Sequence, residues 1–239
     1  MSLNCEQLVK EYGGRKVVDG ISISVAPGEI VGLLGPNGAG KTTTFNMIAG
    51  LIRPDSGEVY KGVHKITNMP MYRRARLGVG YLTQEPSIFR NLSVEDNLKA
   101  ILQTVEKDKK VVEARAEELM QKLGIERLKK QKAFLLSGGE KRRLEIARSL
   151  ISGPDIMLLD EPFVGIDPIA VADIQKIVFD FKEEGLGMLI TDHNVRETLQ
   201  VIDRAYIIYE GRMLFSGGAE ELLSNPEARK VYLGEKFRM

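Results

Sequence analysis

The sequence predicts an α/β fold built around a buried sheet, and three observations carry that expectation. The apolar run EIVGLLG empties into a glycine-rich loop and then into a helical pattern. After Gly139 the chain alternates helix-like and strand-like stretches. The strand-like ones, IMLLD and GMLITD, are apolar almost throughout, as strands covered on both faces are.

Taken in order, CEQLVKEY and KVVDGISISV read as strands, the second through the alternation of Ile21, Ile23 and Val25 before a PGE turn. EIVGLLG is the next strand, and KTTTFNMIAGLI a helix stopped near RPDSG. GEVYKG and GVGYLTQ are strand-like and flank a polar, basic segment. Between Leu92 and Leu123 the recurrence of Val112, Ala116, Leu119, Met120 and Leu123 at three- and four-residue steps predicts helix, with EKDKK as a solvated break. EKRRLEIARSLI and AVADIQKIVFDFKEE read as helices, RAYIIYEGRMLFSG as a hairpin turning at Glu210 and Gly211, and the remainder as short helices and an exposed tail. No internal repeat or low-complexity linker is present.

A chain of 239 residues can bury a large core, and one domain with an inserted or appended lobe is expected. Lys and Arg total 34 against 33 Asp and Glu, a balance unlike that of a protein that wraps nucleic acid. Cys5 is the only cysteine, which excludes an intrachain disulfide and fits a reducing compartment. The start lacks the pattern of a secretion signal, and no apolar run approaches the roughly 20 residues of a membrane-spanning helix.

The chemistry concentrates in a few loops. GPNGAGKT, comprising Gly35, Pro36, Asn37, Gly38, Ala39, Gly40, Lys41 and Thr42 and followed by Thr43, matches the phosphate-loop pattern between a strand and a helix. Its backbone amides converge on a phosphate, Lys41 brings a point charge and Thr42 a hydroxyl for Mg²⁺. IMLLDEP delivers Asp160, a candidate Mg²⁺ ligand, and Glu161, a candidate for polarising the attacking water. His193 follows GMLITD and can orient water or Glu161; by itself it reads as readily as a structural histidine. Gln84 can approach Mg²⁺ or the lytic water, or be an ordinary loop glutamine. Tyr12 suits an adenine platform or a strand edge equally. LLSGGEKRR starts a second helix at an anion-attracting turn of Ser137, Gly138 and Gly139, although the phosphate loop already encloses the γ-phosphate of one ATP. The simplest use for it is the ATP of another subunit. Lys141, Arg142 and Arg143 behind it can assist the neighbouring phosphates or be ordinary solvated helix surface.

Together these motifs resemble the ABC ATPase family over essentially the whole chain: Tyr12, the Walker A loop at 35–42, Gln84, the signature at 136–140, Asp160 and Glu161 as Walker B aspartate and catalytic glutamate, GIDP with Asp167, and His193. The resemblance implies a P-loop NTPase (RecA-like) core with an antiparallel β subdomain and an inserted α-helical subdomain. The core with its C-terminal lobe would span 1–90 and 153–239, and the helical subdomain approximately 91–152. It further implies ATP and Mg²⁺ as cofactors, with Thr42, Gln84 and Asp160 as metal ligands, and a head-to-tail homodimer whose signature and Asp167 complete the other subunit's site. Membrane partners would dock beside Gln84, where Phe89 and Arg90 supply an apolar anchor and a charge; the other reading packs Phe89 under the helical subdomain and leaves Arg90 solvated. Phe237 is a candidate for packing on a second copy's C-terminal lobe.

LTQEPSIFRNLSVEDN, LDEPFVGIDPIAVADIQ and ITDHNVRETL resemble the lipopolysaccharide-export branch of the family. That likeness implies two inner-membrane transmembrane subunits as partners and a peripheral position on the cytoplasmic face. The alternatives within the same reading are an ATPase of a branched-chain amino-acid importer, and a soluble ATPase that remodels nucleoprotein complexes.

Overall fold

The computed structural model describes residues 1–228; Phe237 and the rest of 229–239 lie outside them. The first part of the chain gives β1 (Leu3–Tyr12), β2 (Arg15–Val25), β3 (Ile30–Leu34), α1 (Lys41–Ala49), β4 (Ser56–Lys61), β5 (His64–Lys65), α2 (Met71–Arg76) and β6 (Val79–Leu82). Helices follow: α3 (Val94–Val105), α4 (Lys109–Lys122) and, after two single 3₁₀ turns, α5 (Gly138–Ser149). The chain then alternates through β7 (Ile156–Asp160), α6 (Pro168–Glu183), β8 (Gly187–Thr191), α7 (Val195–Leu199), β9 (Arg204–Tyr209), β10 (Arg212–Gly218), α8 (Ala219–Ser224) and α9 (Pro226–Ala228).

Two sheets result. The antiparallel one has the order β2-β1-β4-β5, and the larger one the order β10-β9-β3-β8-β7-β6. Within the larger sheet β9, β3, β8, β7 and β6 run parallel, so the loops after β3, β6, β7 and β8 all leave from one edge. Each of those loops carries a motif residue, which is why residues far apart in sequence meet there.

The strand period of two sorts the apolar residues onto two cores. Ile30, Leu34, Met157, Leu159, Met188, Ile190 and Ile207 face α3–α6, whereas Val31, Leu33, Ile156, Leu158, Leu189 and Ile208 face α1 and the antiparallel sheet. Burial on both faces explains why these strands read as continuous apolar runs.

The structure departs from the sequence expectation at two places. The basic segment before GVGYL contains α2, and its Arg74 is fully buried, donating to the carbonyls of Thr67, Met69 and Met47. These bonds satisfy a last-turn carbonyl of α1, a role that a one-dimensional reading of a charged residue misses. The EKDKK break is narrower than expected: Asp108 caps α4 by accepting from Lys110 N–H at 2.8 Å, so Lys109 and Lys110 are already helical.

Candidate nucleotide site

The loop 35–42 leaves the end of buried β3 and enters α1. Gly35 has to be glycine on steric grounds, because a Cβ there would lie 2.2 Å from the Ile208 carbonyl oxygen. Lys41 folds over the loop and donates from Nζ to the carbonyls of Gly35 at 2.7 Å and Pro36 at 2.9 Å. Burial lowers its pKa, and the nearby Glu161 carboxylate partly opposes that shift. Thr42 is exposed in the first turn of α1, and Thr43 is half-buried beside it. Beside Gly38 a cavity of about 540 Å³ opens between Arg15, Lys16, Val17, Glu210 and Gly211. Tyr12 is half exposed at the end of β1, with Lys10 Nζ 5.4 Å from its ring centroid.

The acidic part of the site forms where β6, β7 and β8 end together. Glu161 Oε2 accepts from Gln84 Nε2 at 2.8 Å and lies 3.3 Å from His193 Nδ1. Gln84 and His193, from two other loops, thus converge on one carboxylate oxygen of Glu161. Asp160 is buried one residue earlier, and its Oδ1 accepts from Thr191 Oγ1 at 2.7 Å. Burial raises the Asp160 pKa, with the Thr191 hydrogen bond pulling the other way. Asp192, between Thr191 and His193, is 1% exposed and accepts from Asn194 N–H at 2.7 Å; burial raises its pKa as well.

Residues 137–139 occupy another face. Ser137 caps α5 in a reciprocal box with Glu140: Glu140 N–H donates to Ser137 Oγ at 3.3 Å, and Glu140 Oε2 accepts from Ser137 N–H at 2.9 Å and from its hydroxyl at 3.0 Å. The Ser137 donors expected to serve an anion are therefore engaged within the chain. A Cβ on Gly139 would stand 2.6 Å from Ala170 Cβ, so the helix start rests directly on the start of α6. Asp167 caps that helix, its Oδ1 accepting from Ile169 and Ala170 N–H at 3.1 and 3.0 Å. Among the described residues no hydrogen bond joins 137–139 to the phosphate loop.

The basic run behind the signature needs correction. Lys141 and Arg143 are half-buried, but Arg142 is 5% exposed, not solvated. Its guanidinium donates to the carbonyls of Thr83, Asp160, Glu161 and Pro162 at 3.0–3.2 Å and pairs with Glu145 at 3.0 Å. A buried arginine facing so many carbonyls links α5 to both acidic-loop residues and to the residue before Gln84. Its side chain lies on the same inward face of α5 as the buried Glu145 one turn on.

Among the described residues no hydrogen bond joins Phe89 or Arg90 to the acidic cluster. Phe89 is 43% exposed and stacks on Arg148 of α5, whose guanidinium carbon is 4.5 Å from the ring centroid. Asn97 holds the Phe89 backbone, accepting its N–H at 2.8 Å and donating to its carbonyl at 3.0 Å. Arg90 is exposed beside it.

Residues 18–164 match the family model described as ABC transporter. A probable ABC transporter ATP-binding protein of Azorhizobium caulinodans is 56% identical, over 100% of this chain and 85% of its own. The lipopolysaccharide export system ATP-binding protein LptB of Escherichia coli K12 is 51% identical, over 100% of this chain and 99% of its own. Among solved structures, an ATP-binding cassette of an ABC transporter in its ADP conformation superimposes with a TM-score of 0.89 at 31% identity, covering 98% of this chain and 100% of that one.

Proposed function

The chain belongs to the ABC transporter family as an ATP-hydrolysing subunit, and on that premise we propose that it powers lipopolysaccharide export from the inner membrane. The observation that carries this reading is the 51% identity maintained across both whole chains with the E. coli export ATPase.

In the proposed reaction the amides of 35–42 and the Lys41 ammonium hold the β- and γ-phosphates. Glu161 takes the role of the base that orients the attacking water. Gln84 and His193, bonded to or beside its Oε2, hold that carboxylate in place and report on the nucleotide. The oxygen donors of Thr42, Asp160 and Gln84 suit a hard cation, and the Asp160 carboxylate stands at the strand end with one oxygen braced by Thr191. Mg²⁺ bound there would neutralise charge developing on the transferred phosphoryl group.

The second copy enters through the face that carries the signature. Ser137 and Gly138 are exposed there, Gly138 close to Gly165 and Ile166, with Leu135 at 60% and Ile169 at 80% exposure on the same stretches. A head-to-tail homodimer would cover these apolar side chains and bring Gly138 and Gly139 amides to the partner's ATP. Residues 91–152 would act as the helical subdomain that carries this face, with 1–90 and 153–239 as the core. Among the described residues no helix is long and apolar enough to cross a membrane. Attachment to the cytoplasmic face would therefore come through two transmembrane subunits docked at Phe89 and Arg90.

The test is copurification from detergent-solubilised native membranes with the Glu161→Gln chain and Mg-ATP, followed by mass spectrometry. Two lipopolysaccharide-export membrane subunits are expected. Amino-acid permease subunits, or soluble nucleoprotein alone, would overturn the export assignment and leave the ATPase chemistry in place.

A further inference from the structure

The β9–β10 turn belongs to none of the motifs above, yet it touches the phosphate loop at a constrained point. Gly211 N–H donates to the Ala39 carbonyl at 2.9 Å, while the Gly211 carbonyl accepts from Asp19 N–H at 2.8 Å. The turn is thereby pinned between β2 and the loop. A Cβ on Gly211 would lie 2.9 Å from the Val17 carbonyl oxygen, and one on Gly40 would lie 2.5 Å from the same atom. Arg212, next in sequence, donates from Nε and Nη2 to Asp19 Oδ2 at 3.1 and 2.9 Å, and Lys16 holds Asp19 Oδ1 at 2.9 Å.

A trans peptide is planar, with its carbonyl and N–H pointing to opposite sides. Since the Ala39 carbonyl is directed at Gly211, the Gly40 N–H is directed away from the hairpin. Gly40 has φ +106°, a conformation open to glycine and one in which the adjoining peptide plane is not fixed by any side chain. Were that plane to turn over, a carbonyl dipole would replace an amide in a loop whose purpose is to meet negative charge.

We infer that Gly211 is a positioning residue of the nucleotide site: its amide fixes the Ala39–Gly40 peptide so that the Gly40 N–H faces the phosphates, and so sets affinity for nucleoside triphosphates. The inference rests on the nucleotide-site reading above.

The experiment measures binding of a fluorescent ATP analogue and steady-state hydrolysis for the full chain and for Gly211→Ala. Gly153→Ala is the control, because Gly153 also has positive φ, +64°, but nothing within 4 Å of a built Cβ. In Gly211→Ala the added methyl should push the turn away from Val17 and pull the Gly211 N–H off the Ala39 carbonyl, raising Kd and KM about five-fold or more. Its kcat at saturating ATP should stay within about two-fold, as for a loss of uniform binding. Gly153→Ala should lose stability through the same kind of backbone strain and bind as the parent does. Parental affinity in Gly211→Ala overturns the inference alone, and an equal loss in both variants reduces the effect to general strain. Failure of the parent to bind ATP removes the nucleotide reading as well. Should Gly211→Ala not fold, hydrogen exchange on the parent decides: the Gly211 amide should exchange more slowly once a non-hydrolysable ATP analogue is bound, and an unchanged rate overturns the proposal.

Discussion

Glu161 adopts φ +48°, a left-handed conformation that a residue with a Cβ takes only when its surroundings hold it there. The holding groups are identifiable. Its N–H donates to the Thr191 carbonyl at 2.8 Å, its carbonyl accepts from Arg142 at 3.1 Å, and its carboxylate accepts from Gln84. Two expectations belong at this scale. Glu161→Gln should retain ATP binding while turnover falls about 100-fold or more, because the amide cannot serve as base; phosphate release assays check this, and undiminished turnover would remove Glu161 from that role. Arg142→Met should destabilise the chain by roughly 3 kcal/mol in urea unfolding, since it leaves several inward-facing carbonyls and the Glu145 carboxylate without their donor. Retained stability would mean that water or neighbouring groups replace the guanidinium.

At the scale of elements, α5 works as a rod with a functional group at each end. Its 12 residues span about 18 Å at the usual rise. Ser137 caps one end on the signature face, while near the other Arg148 stacks beneath Phe89. Under the proposed docking, a displacement of Phe89 would reach the signature along this helix, with Arg142 as a branch to the acidic loop. Ser137→Ala should cost about 1 kcal/mol by removing the cap and should also weaken ATP-dependent dimerisation; unfolding and light scattering measure the two effects separately. Phe89→Ala should preserve the hydrolysis of the isolated chain and reduce recovery of membrane partners, an outcome contradicted by a fully normal complex.

For the whole molecule, the arrangement that matters is a parallel sheet covered on both faces and open along one edge. It keeps the β3, β6, β7 and β8 loops together while α3–α5 project a separate surface. Electrostatics contributes to keeping those helices in place. Glu95 of α3 is held from its ordinary 4.5 down to about 2, chiefly by hydrogen bonds from Lys99 and then Lys130. A lowered folded-state pKa means that the unfolded chain takes up more protons between those values, so this contribution is present above pH 4.5 and is lost as pH falls toward 2. Asp160 and Asp192, raised by burial, act in the opposite sense and cost stability as pH rises through their range. Glu95→Gln should accordingly be less stable than the parent near neutrality, with the difference closing as pH approaches 2; urea unfolding across pH reads this directly. A difference independent of pH would show that Glu95 acts by packing alone.

The phosphate loop, the Asp160–Glu161 pair, most strands and the longer helices, and the β9–β10 hairpin were legible in the chain because each is a local pattern, whereas the short helices α2 and α7 were not. Period-two or apolar runs, a glycine spacing and residues placed directly after a strand need no distant partner to be recognised. Resemblance to the family added Gln84, His193 and Tyr12, whose types by themselves left structural readings open. Arg74 and Arg142 were not legible as buried groups, since charge patterning describes exposure and their partners are backbone carbonyls supplied by other elements. The Ser137–Glu140 box is a local S-x-x-E pattern and was open to a reading of the chain, which instead took the helix start for an anion site; the contact of Gly211 with Ala39, across 172 positions, was not. By itself the sequence determined which chemistry the chain carries and on which loops. Only the tertiary structure decided which atoms face one another, because register between parallel strands and the close approach of backbones at glycine are set by packing of the whole sheet.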